Sequence, residues 1–438
     1  MTTITRLSIN NDGYFNNTIG EKGLALEQIE ALSPKLDRLR DQIAEWRQRD
    51  SINFVNLAFK NDIADIKKLG QECAQAFKRT IVLGVGGSSL GGEMLVKTLG
   101  HDHHVVTFCD NIDPASFAMF NDVNWHDTLL LVISKSGNSP ETLSQFLTTL
   151  PDMQRTLGEE GVRRHTIIIT ENENGALFEL GKQLGVPIVP HPPVDGRFSV
   201  LSVVGLLPAY LAGADIDAVV DGARAMVTQC SQDAINENPA FFNGAAQFLH
   251  AEQGRTQSVL LPYADNLQAV MNWLRQLWAQ SLGNINNDGA NKGMTPINSQ
   301  GVRDQHSQLQ LYLHGPDDKQ TTFFTKAGGH HLGARIPMNF QQIPAIAPLA
   351  GHTLGELFSA EFRATRTRLS RQGRPNRTIS LRDNDAFAIG ELIVLMEMET
   401  IVIAELMGLS TLERPSTEES KTLTHEYLAD FASLHAET

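Results

Sequence analysis

Leu129 to Ile133 is five apolar residues in succession, with no polar residue at alternate positions. A strand with one face in water alternates, so this unbroken run is the pattern of a strand covered on both faces, as in a parallel sheet. The residues that follow constrain the chain further. SKSGNS (134–139) is six small or polar residues, and Pro140 and Glu141 then suit the first turn of a helix. Proline needs no amide partner there, and a carboxylate complements the positive end of the helix dipole. A polar loop between a buried strand and a helix amino terminus gathers unpaired N–H groups, a place that holds anions. Ser134, Lys135, Ser136 and Ser139 therefore form a candidate phosphate cradle. An ordinary polar loop with a serine or asparagine N-cap has the same pattern.

The same rhythm recurs. TIVLG (80–84), VVTF (105–108), TIIIT (166–170) and VPIV (186–189) are further strand candidates separated by loop and helix signals, which is the βαβ order of a doubly wound parallel sheet. SVLSVVGLLPAYLAGADI, near 198–215, is apolar enough for a buried helix joining two domains. QSVLLPY (257–263) and NLQAVMNWLRQLWAQSLG (266–283) begin a second, weaker α/β stretch. A chain of 438 residues exceeds one hydrophobic core, and domains run to roughly 100–200 residues. The expected plan is a helical N-terminal segment over 1–75, α/β domains over 76–205 and 206–400, and a helical tail over 401–438.

Composition narrows the function. A net charge of −14 offers no basic excess for a nucleic-acid backbone, although a pocket can be locally positive on an acidic protein. Three widely spaced cysteines fit a reducing compartment rather than a disulfide framework. No apolar run approaches the roughly 20 residues of a membrane span, and the opening MTTITRLSINNDGYFNN has no apolar signal core. A cytoplasmic protein with no membrane and no nucleic-acid partner is expected.

TIVLGVGGSSLGG (80–92) places a second glycine-rich turn at a strand end. Its spacing misses G-x-G-x-x-G by one residue, with Gly91 one position late, and Asp110 is only a loose match for the acidic residue of a dinucleotide site. Two small-residue loops at neighbouring strand ends favour a sugar phosphate lying between them over a dinucleotide. The histidines of GHDHHVV and GGHHLGAR are more simply polar-loop residues than metal ligands, and no metal or cofactor is expected.

GVGGSSLGG, SKSGNSPET, DGRFSVLSVVGLLP and DQHSQLQLYLHGPDDK, in that order, together resemble the phosphoglucose isomerase family, over about residues 75 to 421. The resemblance implies two sugar-isomerase (SIS) domains, each a doubly wound parallel sheet. It implies interconversion of glucose 6-phosphate and fructose 6-phosphate through an enediolate, without a cofactor, by a homodimer. It places Ser134, Lys135, Ser136, Ser139 and Thr142 on the substrate phosphate and Gly87, Ser88 and Gln276 on the sugar. Arg197 falls where the family stabilises the enediolate oxygens, a task suited to a guanidinium whose charge is permanent. His306 and Lys421 fall where it opens the ring, His306 reaching across the dimer interface.

Two positions of one further motif depart, 280 and 284. The family's proton-shuttling glutamate lies in a pattern like Q-L-x-x-E-S-x-G-K, and this chain reads Gln276-Leu-Trp-Ala-Gln280-Ser-Leu-Gly-Asn284. An amide has no basic form near neutrality, so Gln280 cannot take up a C–H proton. No carboxylate lies between Arg275 and Asn287, and Asp288 in the lengthened loop is the nearest in sequence. Either another carboxylate serves, or the chain is a non-catalytic sugar-phosphate-binding protein on the same fold.

Overall fold

The apolar runs of the first half become the strands of one parallel sheet in the computed structural model, which describes residues 5–50, 53–60, 63–101, 104–232, 234–328, 331–382, 385–410 and 418–436. In chain order the strands are β1 (Leu7–Asn10), β2 (Arg79–Leu83), β3 (Val105–Cys109), β4 (Thr128–Ile133), β5 (Thr166–Thr170), β6 (Ile188–Pro190), β7 (Gln257–Tyr263), β8 (Asn284–Ile285), β9 (Asn291–Lys292), β10 (Thr295–Asn298), β11 (Lys319–Lys326) and β12 (Asn376–Leu381). Helices of nine residues or more are α1 (Ser33–Gln48), α2 (Ile63–Ala76), α3 (Leu90–Leu99), α4 (Pro140–His165), α5 (Ala176–Leu184), α6 (Val203–Leu211), α7 (Ile216–Gln229), α8 (Pro239–Glu252), α9 (Gln268–Leu282), α10 (Leu354–Arg371), α11 (Ala386–Leu406) and α12 (Glu418–Ala436).

The first sheet has the order β3-β2-β4-β5-β6, all parallel. β4 is buried along its whole length, as its lack of alternation requires. The second sheet runs β1-β12-β11-β7-β10, parallel except for β1, which pairs antiparallel with β12 from Leu7↔Leu381 to Asn10↔Thr378. β1 thus comes from the segment expected to be helical, and Arg6 N–H adds a bond to Glu391 on α11 at 2.8 Å. No described helix is long and apolar enough to cross a membrane, and the cysteines are buried free thiols.

α11 packs on α7, α8 and α9 and is buried on every side, as a helix without a polar face must be. Two of its buried acids, Glu397 and Glu399, are treated differently. Glu399 accepts both guanidinium nitrogens of Arg377 at 2.8 Å and the Gln247 amide at 2.9 Å, while Arg377 Nε donates to Thr322 at 3.0 Å. One saturated ion pair so ties α11 to β12, β11 and α8. Glu397, also buried, has no hydrogen-bond partner on either oxygen, and burial pushes its carboxyl well above the ordinary value.

Glu399→Gln leaves Arg377 buried without a counter-charge and is expected to destabilise the fold by about 3–5 kcal/mol, read as a fall in the urea midpoint. Glu397→Met acts in the opposite direction. A carboxyl protonated in the folded state and ionised in the unfolded chain weakens the fold as pH rises from the ordinary glutamate value toward the raised one. The advantage of Met at 397 in melting temperature is therefore expected to grow from pH 5 to pH 8.

Candidate active site

β2 and β4 are hydrogen-bonded neighbours, with Leu83 opposite Val132, so their loops, 84–89 and 134–139, emerge side by side at the carboxyl edge of the sheet. The first loop leaves close to the end of β4: a Cβ at Gly84 would lie 3.0 Å from the Ile133 carbonyl oxygen.

The 134–139 loop is tied down by its own polar groups. Ser134 is buried, its N–H donates to Ile169 O at 3.0 Å, and its hydroxyl meets that of Ser139 at 3.1 Å. Gly137 turns with φ +68° against Gly175, a conformation that disfavours a side chain. The Asn138 side chain accepts the Ala176 N–H at 2.9 Å and so holds the start of α5. Pro140 occupies the first turn of α4, and no side-chain hydrogen bond caps that helix. Its first-turn amides are therefore left to solvent or ligand. Thr142, one turn in, is 1% exposed, and its hydroxyl has no protein partner. Lys135 pairs with Glu171 at 3.3 Å.

Across the crevice stands the turn Gly196–Phe198. A Cβ at Gly87 would lie 2.3 Å from the Gly196 carbonyl carbon, so glycine there lets two backbones touch. Ser199 stitches them by donating to Gly87 O at 3.1 Å and Gly196 O at 2.8 Å. Arg197 is 3% exposed. Nη1 donates to the Gln280 carbonyl at 2.6 Å, Nε lies 3.7 Å from Asp195 Oδ1, and the guanidinium carbon is 5.2 Å from the Phe198 ring centroid. Phe198 in turn stacks on Phe54 at 4.5 Å. The guanidinium is fixed before any ligand arrives.

α9 closes the site. Gln276 lies over Gly86, where an added Cβ would be 2.9 Å from its amide nitrogen. Gln280, one turn on, is exposed, and its backbone rather than its side chain holds Arg197. Trp273 and Trp278 on this helix are buried in the core.

The chain thus brings together Gly87, Ser88, Ser134, Lys135, Ser136, Ser139, Thr142, Arg197, Gln276 and Gln280. It does not bring in His306, which follows the turn Arg303–Gln305 after β10, is exposed, and has no side-chain bond to these loops among the described residues. Its loop is fixed by Asp304. Burial alone would raise that carboxyl, but bonds from Ser307, Ser299 and the Gln300 N–H outweigh it and hold it below the usual range. Lys421 falls on α12, and its side chain lies outside the described residues. Asp288 occupies the β8–β9 turn, bonded to Asn286, with no hydrogen bond to Arg197 or Gln280. His101 and His104 bond Leu99 O and Thr80, and His103 and His330 lie outside the described residues.

Sequence reasoning passed over Asp195 and Glu171. Both were open to the rule that groups at strand ends and in turns line the ligand edge of an open sheet: Glu171 directly follows TIIIT, and Asp195 is the first letter of DGRFS.

The sequence matches the family model described as phosphoglucose isomerase over residues 58–436. It is 33% identical over 442 residues to the glucose-6-phosphate isomerase of Carboxydothermus hydrogenoformans, covering 96% of this chain and 94% of that one. It is 34% identical over 426 residues to that of Rubrobacter xylanophilus, covering 94% and 96%. Among solved structures, a hypothetical protein from Thermus thermophilus superposes with a TM-score of 0.87 at 26% identity, over 97% of this chain and all of that one. The glucose-6-phosphate isomerase of Chlamydia trachomatis shares the fold at 0.80 and 17% identity, over 100% and 90%. With paired strand-end loops, a fixed arginine on the turn that meets the first of them and relatives along nearly its whole length, the chain belongs to the phosphoglucose isomerase family.

Proposed function

We propose that this protein interconverts glucose 6-phosphate and fructose 6-phosphate by moving a proton between C1 and C2 through an enediolate. The observation that carries this reading is Arg197, buried beside the Gly87 turn and held by the Gln280 carbonyl, Asp195 and Phe198. A preorganised cation in a water-poor site stabilises developing negative charge without reorganising. In this reading Ser134, Lys135, Ser136, Ser139 and Thr142 take the phosphate, and Gly87, Ser88 and Gln276 take the sugar. Asp195, a carboxylate within ion-pair reach of Arg197, takes the C–H proton that the amide of Gln280 cannot accept.

Ring opening falls to His306 and Lys421, with His306 supplied by the second subunit of a homodimer. Exposed Leu332, Met338, Phe340 and Leu354, and Tyr427, Leu428 and Phe431 on α12, support association of two copies. The setting is cytoplasmic, with no cofactor. The second reading, a sugar-phosphate-binding protein without turnover, is favoured by one specific observation: an exposed amide at 280.

Turnover of fructose 6-phosphate, coupled to glucose-6-phosphate dehydrogenase, separates the two. Wild-type activity that falls about 10²–10⁴-fold in Asp195→Asn is expected for the isomerase. A silent wild type that binds the sugar phosphate and gains activity in Gln280→Glu supports the second reading. Thr142→Val removes a buried hydroxyl from the phosphate end, and KM is expected to rise about tenfold with kcat little changed.

A further inference from the structure

His191, directly after β6, is 2% exposed. Its Nδ1 lies 2.7 Å from the carbonyl oxygen of Pro192. Only an N–H can meet a carbonyl at that distance, so the ring's proton is on Nδ1 and Nε2 carries the lone pair. That Nε2 is buried and has no hydrogen-bond partner. An unsatisfied acceptor in a protein interior costs free energy.

Its location supplies a reason. The ends of β4, β5 and β6 lie in a row, joined by backbone bonds from Glu171 N to Lys135 O at 3.2 Å and from His191 N to Thr170 O at 2.9 Å. Lys135, Glu171 and His191 therefore stand on successive strand ends. Two strand spacings separate the outer pair by roughly 10 Å of backbone, so an anion beside Lys135 lies within Coulombic range of His191. The charged groups acting on His191 are Lys135, Glu171 and Asp195. Burial, reinforced by the Lys135 cation, depresses the imidazole below its ordinary value, so it is neutral in the empty site.

We propose that His191 is a proton-linked part of the phosphate site: a phosphate dianion entering beside Lys135 draws a proton from solvent onto Nε2, and the imidazolium becomes a second cation for that dianion. The inference rests on the sugar-phosphate reading above. Its driving force is local. Beside Glu171 and Asp195 the dianion changes the nearby negative charge from −2 to −4, a field that favours the charged form of a nearby imidazole. The protein thereby takes the dianion without leaving Glu171 and the phosphate under-compensated when Lys135 turns from one to the other.

The test is calorimetric titration of the full chain at pH 7 with fructose 6-phosphate and with sulfate, in buffers of different ionisation enthalpy, beside His191→Asn. Asparagine keeps a donor for the Pro192 carbonyl and removes Nε2. Sulfate has no titrating proton at this pH, so any uptake on binding it comes from the protein. The wild type is expected to take up about half to one proton per bound dianion. The variant is expected to take up none and to bind about tenfold more weakly. Equal uptake in both proteins, or none in the wild type, overturns the proposal and leaves His191 a core histidine satisfied by a buried water. Failure of the wild type to bind fructose 6-phosphate overturns the sugar-phosphate reading, and the proposal falls with it.

Discussion

Two backbones meet at Gly87 and Gly196 where no side chain has room, and the site is arranged around that contact. It is possible because β2 and β4 are neighbours in the sheet although β3 lies between them in sequence. Strand order reverses direction there, and at such a point adjacent loops diverge and leave a crevice above the sheet. The chain returning from β6 crosses the edge and sets Arg197 down on the glycine turn. A larger residue at 87 would lift that turn away, and with it the guanidinium that α9 holds through a main-chain carbonyl. Since Gln280 grips Arg197 through its backbone, change at the side chain of position 280 leaves the arginine in place.

The second sheet has a different duty. Its strands bury Thr321, Thr322, Arg377 and Thr378, groups that cost free energy inside a protein unless bonded. The Arg377–Glu399 pair, with Gln247 and Thr322, satisfies the most demanding of them and anchors α11. α11 in turn backs α9, so the helix that carries Gln276 and Gln280 rests on the helix that this charged network anchors.

The first sheet was legible because its strands are apolar without interruption: LLLVI and TIIIT announce burial on both faces, and Pro140 marks the start of α4. QSVLLPY was legible for the same reason. KQTTFFTK and NRTISL were not. Their threonines and Arg377 read as exposed until tertiary partners neutralise them, and those partners come from distant α8 and α11. LSIN, as β1, is too short to signal a strand and forms by pairing with a segment at the other end of the chain. In the site, the phosphate loop and the arginine turn could be read from residue type and spacing. The partners of Arg197 could not, since Gln280 acts through a carbonyl that any residue possesses. His191 left no sequence signal because its peculiarity, one nitrogen bonded and the other without a partner, exists only in three dimensions.

The antiparallel pairing of β1 with β12, and the bond from Arg6 to Glu391 across 385 positions of chain, bear on how the molecule is assembled during synthesis. The first strand leaves the ribosome long before either partner exists, and contacts so distant in sequence form slowly even in a free chain. The strands of the first sheet pair only among themselves and are all made by residue 190, so that pairing can begin while the rest is still being made. The edge of the second sheet is completed only when the last quarter of the protein has emerged, so the amino terminus is the final seam to close.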